Sequence, residues 1–174
     1  MTKVVRGRIL GRTGFVFAEL EFDADIMSIS PINQEADAPL VLPGFIDTHV
    51  HGGGGADTMD GAAGVRKLAR FHLEHGTTTL YPTTITNPWS KIIAALRGVK
   101  EVISEPSSDL PDMPGVHLEG PFINPKRLGA QPPNAVLPTP KLIEEVLELQ
   151  VIKLITLAPE IEGALSAVET LVKA

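Results

Sequence analysis

From residue 41 onward the chain alternates short apolar or β-branched runs with amphipathic segments, and this alternation constrains its fold more than any other feature. Val41–Val50 reads as a strand. Ala62–His75 follows with Val65, Leu68, Ala69, His72 and Leu73 at helical spacing, and Gly76 stops it. Thr77–Thr84 is a β-branched strand. Trp89–Ser104, opened after Asn87-Pro88, is a helix with Ile92, Ile93, Leu96, Val99 and Ile103 along one face. Met113–Glu119 is a third strand, and Thr139-Pro140 opens a helix carrying Leu142, Ile143, Val146, Leu147 and Leu149. Val151–Leu157, whose apolar Val151, Ile152, Leu154, Ile155 and Leu157 are interrupted at Lys153, reads as a strand buried on both faces, and Ala164–Val172 as a last helix. Such a βαβαβαβα order predicts an α/β fold, a parallel sheet with helices outside. Four units fit an open sheet, and equally the first half of a (β/α)8 barrel, which takes about 250 residues when whole.

Residues 3–42 follow another pattern. Short strands are expected at Val4–Ile9, Gly14–Leu20, Ala24–Ser30 and Leu40–Leu42, separated by Gly-Arg-Thr-Gly, Pro31 and Pro39. A length of 174 residues allows one domain, or one with a small appendage. Nine of the 15 prolines lie between Pro106 and Pro140, which leaves no room there for a long helix. An apolar content of 43% with 21% charged residues excludes wholesale disorder. The net charge of −6 argues against general binding to nucleic acid or anionic membrane. Without cysteine there is neither a disulfide framework nor a thiolate metal site. Arg12 comes too early for the apolar core of a signal segment, and no run of 18 apolar residues follows. These features read as a soluble, acidic, cytoplasmic protein.

The first chemical constellation is Pro43-Gly44-Phe45-Ile46-Asp47-Thr48-His49-Val50-His51-Gly52. Alternate residues of a strand share a face, so Asp47, His49 and His51 lie together. Two imidazoles at the C-terminal mouth of a parallel strand are placed to hold one metal ion, with a nearby carboxylate to orient a second ring nitrogen. The bland alternative is a histidine pair beside a turn. The glycines Gly52–Gly55 lack the context of a phosphate loop, and His-Gly-Gly-Gly comes without the Gly-x-Ser-x-Gly elbow of an α/β-hydrolase. A tight turn needing positive φ and close approach is the preferred reading.

The second constellation is Gly115-Val116-His117-Leu118-Glu119-Gly120-Pro121-Phe122. Glu119 ends its strand as a hard oxygen ligand for a divalent cation, or alternatively as a cap on neighbouring backbone. His117, one layer deeper on the same face, is expected to support by hydrogen bonding rather than to ligate. His72 and His75 are explained by the C-terminal dipole of their helix. Lys126 and Arg127, in the loop after Glu119, read either as solvated or as contacts for an anionic substrate.

Three segments together resemble the N-acetylglucosamine-6-phosphate deacetylases of the amidohydrolase superfamily. They are residues 43–52, the stretch His-Leu-Glu-Gly-Pro-Phe-Ile-Asn-Pro at 117–125 with Gly129-Ala130, and Lys-Leu-Ile-Thr-Leu-Ala-Pro-Glu at 153–160. The resemblance runs along the whole chain. It implies that residues 1–42 are strands of a small β-sandwich domain and residues 43–174 the first half of a metal-dependent hydrolase (β/α) barrel. It implies hydrolysis of N-acetylglucosamine 6-phosphate to glucosamine 6-phosphate and acetate, with one or two divalent ions, zinc foremost, and a homodimer. Glu119, His49 and His51 are the implied metal ligands. Asp47 and His117 are supporting residues. Ala130 and Gln131 match the segment that touches the sugar, Gln131 standing where histidine is common. The acid/base aspartate and two further histidines come from later strands in such enzymes, so the chain is expected to be a truncated, cleaved or incompletely represented first half, inactive alone. Two rivals are a non-catalytic half-barrel that folds by association, and a small protein holding a phosphorylated ligand on Gly52–Gly55.

Overall fold

The computed structural model describes residues 2–34 and 37–174. They divide into two compact units, Met1–Gly44 and Phe45–Ala174.

The first unit is a four-stranded sheet in the order β3-β2-β1-β4, formed by β1 (Lys3–Gly11), β2 (Gly14–Phe22), β3 (Ile26–Pro31) and β4 (Leu40–Val41). β1 and β2 pair antiparallel from Gly11↔Gly14 to Lys3↔Phe22, whereas β4 joins β1 in parallel through Arg8↔Leu40 and Ile9↔Val41. Gly7 permits that approach, because a Cβ there would run into the Pro39 carbonyl and the Val41 side chain. Ile9 and Ala18 are buried, while the Arg8 guanidinium lies 5.3 Å from the ring centre of Phe15.

The second unit is mixed α/β. Its elements are β5 (Phe45–Val50), β6 (Gly52–Gly53), β7 (Ala56–Asp57), a 3-10 turn (Thr58–Asp60), α1 (Gly61–Glu74), β8 (Thr77–Pro82), α2 (Trp89–Ser104), β9 (Val116–Glu119), α3 (Pro140–Glu148), β10 (Ile152–Thr156) and α4 (Ala164–Lys173). β5 pairs with β8 and β9 with β10, both in parallel. Parallel bridges Thr79↔Asp112 and Thr83↔His117 connect the two pairs, giving the spatial sequence β5-β8-β9-β10. Among the described residues these strands do not close into a barrel. No helix is long and apolar enough to cross a membrane.

The core of this unit lies between the strands and the helices that follow them. Val65, Leu68, Leu80, Leu96, Val116 and Leu118 are wholly buried within it. The expected face of α2 is the one that packs, with Ile92, Ile93, Leu96 and Val99 inside. α3 starts as its sequence dictates: the Thr139 hydroxyl accepts the Leu142 N–H, and Pro140 occupies the first turn, where it loses no hydrogen bond.

The strands of this second unit are shorter than their sequence pattern predicts, for identifiable reasons, whereas β1 and β2 of the first run longer. β5 begins at Phe45 rather than Val41, because Pro43 lacks a donor and Gly44 follows it. β8 stops at Pro82, and β9 begins only after Pro114-Gly115. β10 departs furthest from expectation. Leu154 is 39% exposed, so this strand is not buried on both faces. It pairs with β9 alone and has no further strand beside it among the described residues.

The glycine run folds as a hairpin, a pair of short strands that the strand-and-helix pattern did not anticipate. Gly52 and Gly53 pair with Asp57 and Ala56, and Gly54 (φ 58°) and Gly55 (φ 74°) form the two-residue turn. Positive φ at both turn positions is the geometry that suits the right-handed twist of a hairpin. A Cβ on Gly53 would lie 2.7 Å from His72 Nε2, and His72 Nε2–H donates to the Gly52 carbonyl at 3.1 Å. His72 is therefore a tether between α1 and the hairpin, not only a charge favoured at a helix end.

Candidate metal centre

Three strand ends deliver the candidate side chains. β5 ends in His49-Val50 with His51 the next residue, β9 ends in Glu119, and Thr83 follows β8 between them. Val50 is buried in the core, which turns its neighbours His49 and His51 to the opposite face. Val116 and Leu118 do the same for His117 and Glu119. Gly120 (φ 65°) then lets the chain turn away.

The reactive atoms of three residues meet there. His49 Nε2 lies 2.7 Å from Glu119 Oε2, His51 Nε2 lies 3.1 Å from the same oxygen, and the two Nε2 atoms are 3.1 Å apart. The Glu119 side chain is only 18% exposed. Both nitrogens sit within ion-pair distance of Oε2, yet neither is aligned to hydrogen-bond it, and this buried oxygen has no hydrogen-bond partner.

Tautomers explain the misfit at His51. Its Nδ1–H donates to the Thr83 carbonyl at 3.2 Å, the tautomer that presents a lone pair at Nε2 whenever the ring carries one proton. A lone pair and a carboxylate oxygen 3.1 Å apart repel unless a cation lies between them. Nitrogen and hard oxygen donors gathered at this spacing suit a divalent ion such as zinc. The donor set, with its unpartnered buried oxygen, therefore fits a metal ion.

His117 has a different environment. Its Nδ1–H donates to the Thr48 carbonyl at 3.1 Å, and its Nε2 accepts the Thr156 hydroxyl at 2.8 Å. Both nitrogens are engaged, so His117 ties β5 to β10 below the site. Burial, reinforced by the neighbouring His49, lowers its pKa below the ordinary histidine value.

Asp47 does not orient an imidazole as its shared face predicts. Its Oδ1 accepts the backbone N–H of His49 at 3.1 Å, bracing the strand end. The orienting partner of His51 is a backbone carbonyl instead. In the loop after β9, Ala130, Lys126 and Arg127 are exposed. Gln131 folds back: its Nε2–H donates to Glu119 Oε1 at 2.8 Å, and its Oε1 accepts the Thr86 N–H at 2.8 Å.

Several supporting residues escaped the sequence reading. Thr83 accepts the Val50 N–H through its hydroxyl at 2.8 Å while its carbonyl holds His51. Thr84 donates to the Glu119 carbonyl at 3.2 Å. The available signal was Thr83-Thr84-Ile85-Thr86, three threonines just past a strand end, all wholly buried in the fold. The hydroxyls of Thr83 and Thr84 find backbone partners whereas that of Thr86 finds none, so the first two mark a place where backbone is being held.

A His-x-His pair at the end of β5 and a glutamate at the end of β9, with β8 between them, thus form a candidate metal centre at one end of parallel strands. The family model described as "Amidohydrolase family" matches residues 40–169, and the chain belongs to that family. Among its relatives, N-acetylglucosamine-6-phosphate deacetylase of Bacillus subtilis (strain 168) is 40% identical over 139 residues, covering 75% of this chain and 35% of the relative. N-acetylgalactosamine-6-phosphate deacetylase of Escherichia coli O157:H7 is 38% identical over 181 residues, covering 98% of this chain and 48% of the relative. In structure, the N-acetylglucosamine-6-phosphate deacetylase of Thermotoga maritima superposes with a TM-score of 0.81 at 29% identity, over 99% of this chain and 46% of that one. A mutant of the Mycobacterium smegmatis N-acetyl-D-glucosamine-6-phosphate deacetylase, solved in complex with N-acetyl-D-glucosamine-6-phosphate, gives 0.82 at 28% identity, over 99% of this chain and 47% of that one. The chain thus spans half or less of the length of these relatives.

Proposed function

We propose that this chain is the metal-holding first half of a (β/α)8-barrel N-deacetylase, one that hydrolyses a 2-acetamido sugar 6-phosphate to the free amine and acetate. The observation that carries the reading is the Glu119 carboxylate, buried and unpartnered at Oε2, facing two imidazole nitrogens within 3.1 Å. The family, and the activities for which the relatives are named, support the reaction class and the substrate type of this reading.

His49, His51 and Glu119 hold the divalent ion. When bound, it would supply Lewis-acid polarisation of the acetyl carbonyl and activate water by lowering its pKa toward neutrality. His51 is kept in its ligating tautomer by the Thr83 carbonyl. His117 keeps β5 and β10 at fixed separation beneath. The loop through Ala130 and Gln131, next to Glu119, is the wall that meets the sugar. Hydrolysis breaks the C–N amide bond, joins the water oxygen to the acetyl carbon and leaves a proton for the departing amine. That proton needs a carboxylate other than Glu119. Among the described residues none joins the cluster, and Asp47 is engaged by the His49 backbone. We therefore assign the acid/base group to the part of the relatives' length that this chain does not span.

Zinc titration followed by calorimetry tests this reading. The chain is expected to bind zinc, with binding lost in Glu119→Gln and weakened at least tenfold in His51→Ala. Equal heats for the chain and Glu119→Gln would overturn it.

A further inference from the structure

Glu119 has two carboxylate oxygens in contrasting environments. Oε2 faces His49 and His51 without a hydrogen bond, while Oε1 accepts the Gln131 side-chain amide at 2.8 Å. Gln131 is itself fixed from its other end, because its Oε1 accepts the buried Thr86 N–H at 2.8 Å. A primary amide has a donor side and an acceptor side, and here each is matched to a partner of the opposite kind. Flipping the amide would set oxygen against the carboxylate and NH2 against a backbone N–H, so this arrangement has one satisfied orientation. The anchor is rigid too: Thr86 is wholly buried, directly after the strand end that also holds His51 through Thr83.

We infer that Gln131 is a positioning residue that clamps Glu119 through Oε1 and so presents Oε2 alone toward the two histidines. The inference rests on the metal reading of the site and extends it. A carboxylate free at both oxygens swings about its last torsion and binds through either or both. With Oε1 engaged by a neutral amide, the carboxylate keeps its charge and offers a single oxygen in a set direction. Partners of this kind typically alter metal affinity by ten- to a hundredfold when removed. The loop carrying Ala130 and Gln131 is thereby tied to the metal ligand, so that a sugar contacting the loop and an ion held by Glu119 share one rigid frame.

Gln131→Met keeps the length of the side chain and removes both hydrogen bonds. In cobalt titrations of the 174-residue chain, this variant is expected to bind ten- to a hundredfold more weakly, with a changed visible absorption band, and its metal-free thermal midpoint is expected to fall by only a few degrees as the Thr86 N–H loses its partner. A second measurement needs no change at residue 131. The side-chain amide resonance of Gln131 in the metal-free chain is expected to move and exchange faster in Glu119→Ala. Cobalt affinity and spectrum unchanged in Gln131→Met, or an amide resonance indifferent to Glu119→Ala, overturns the clamp while leaving the metal reading intact. A parent chain that binds no cobalt overturns the metal reading and the clamp together.

Discussion

A side chain's neighbours set its chemistry more than its type does, as the histidines of this protein illustrate. His51 gives one nitrogen to a carbonyl and keeps a lone pair, His117 uses both nitrogens, and His72 holds a glycine carbonyl. Glycine requirements are equally local. Gly120 has φ 65°, and a Cβ there would strike the Thr86 hydroxyl. Gly120→Ala is therefore expected to lower stability by about 1–3 kcal/mol, read as a shift in the urea midpoint. Away from the site, the Ser107 hydroxyl and then the Arg70 guanidinium hold the Asp109 carboxyl below its ordinary pKa. A carboxyl lowered in the fold stabilises it above the unfolded pKa, and that contribution fades as pH falls through the folded value. Carbon-detected titration should place Asp109 below the usual aspartate range, and Arg70→Gln should raise it. An unchanged midpoint in that variant would remove the guanidinium as a cause.

At the scale of elements, α1 and α2 cross closely. Gly98 of α2 lies against the start of α1, where an added Cβ would come within 2.7 Å of the Ala62 nitrogen and 2.8 Å of Gly61 Cα. Both are backbone atoms, so the helices themselves must separate. Gly98→Ala is expected to cost about 1–3 kcal/mol although alanine is the better helix former, and a stabilised variant in thermal melts would contradict the packing described. Two residues earlier on α2, Leu96 is wholly buried. Leu96→Ala removes both transfer energy and packing, an expected loss of about 2–5 kcal/mol by denaturant unfolding. Two ion pairs, Arg66–Glu105 and Arg70–Asp109, fasten the exposed side of α1 to the segment after α2. Being exposed, they add little to stability.

For the molecule as a whole, the decisive feature is a sheet with two open edges among the described residues. β5 and β10 each pair on one side only among the described residues, and their apolar residues are open: Phe45 is 62% exposed, Ile46 69% and Leu154 39%. Unpaired strand edges with exposed apolar side chains are templates for another chain. The 174-residue chain is therefore expected to self-associate, giving species heavier than 18.6 kDa in light scattering, and a compact monomer would refute this. It is also expected to release no acetate from N-acetylglucosamine 6-phosphate on its own, since no second carboxylate joins the cluster to move the proton. Acetate release that a chelator and Glu119→Gln both abolish would disprove that expectation.

Periodicity and strand-end chemistry carried much of this protein in the sequence alone. The four helices follow from apolar spacing and from stops such as Gly76, because burying one face is a local property of 3.6-residue repetition. The shared face of His49 and His51, and the turn in the glycine run, are likewise written in neighbouring residues. Strand ends proved less legible, since Pro43, Pro82 and Pro114 cut the ladders where apolar runs continue. What sequence periodicity leaves undetermined is which partner each polar atom finds across the sheet. Only the tertiary structure joined Thr83 to His51, moved the Asp47 carboxylate from an imidazole to a backbone N–H, and turned Gln131 onto Glu119. The physical reason is range: burial patterns repeat along one element, whereas a hydrogen bond is decided within about 3 Å by atoms from elements far apart in the chain.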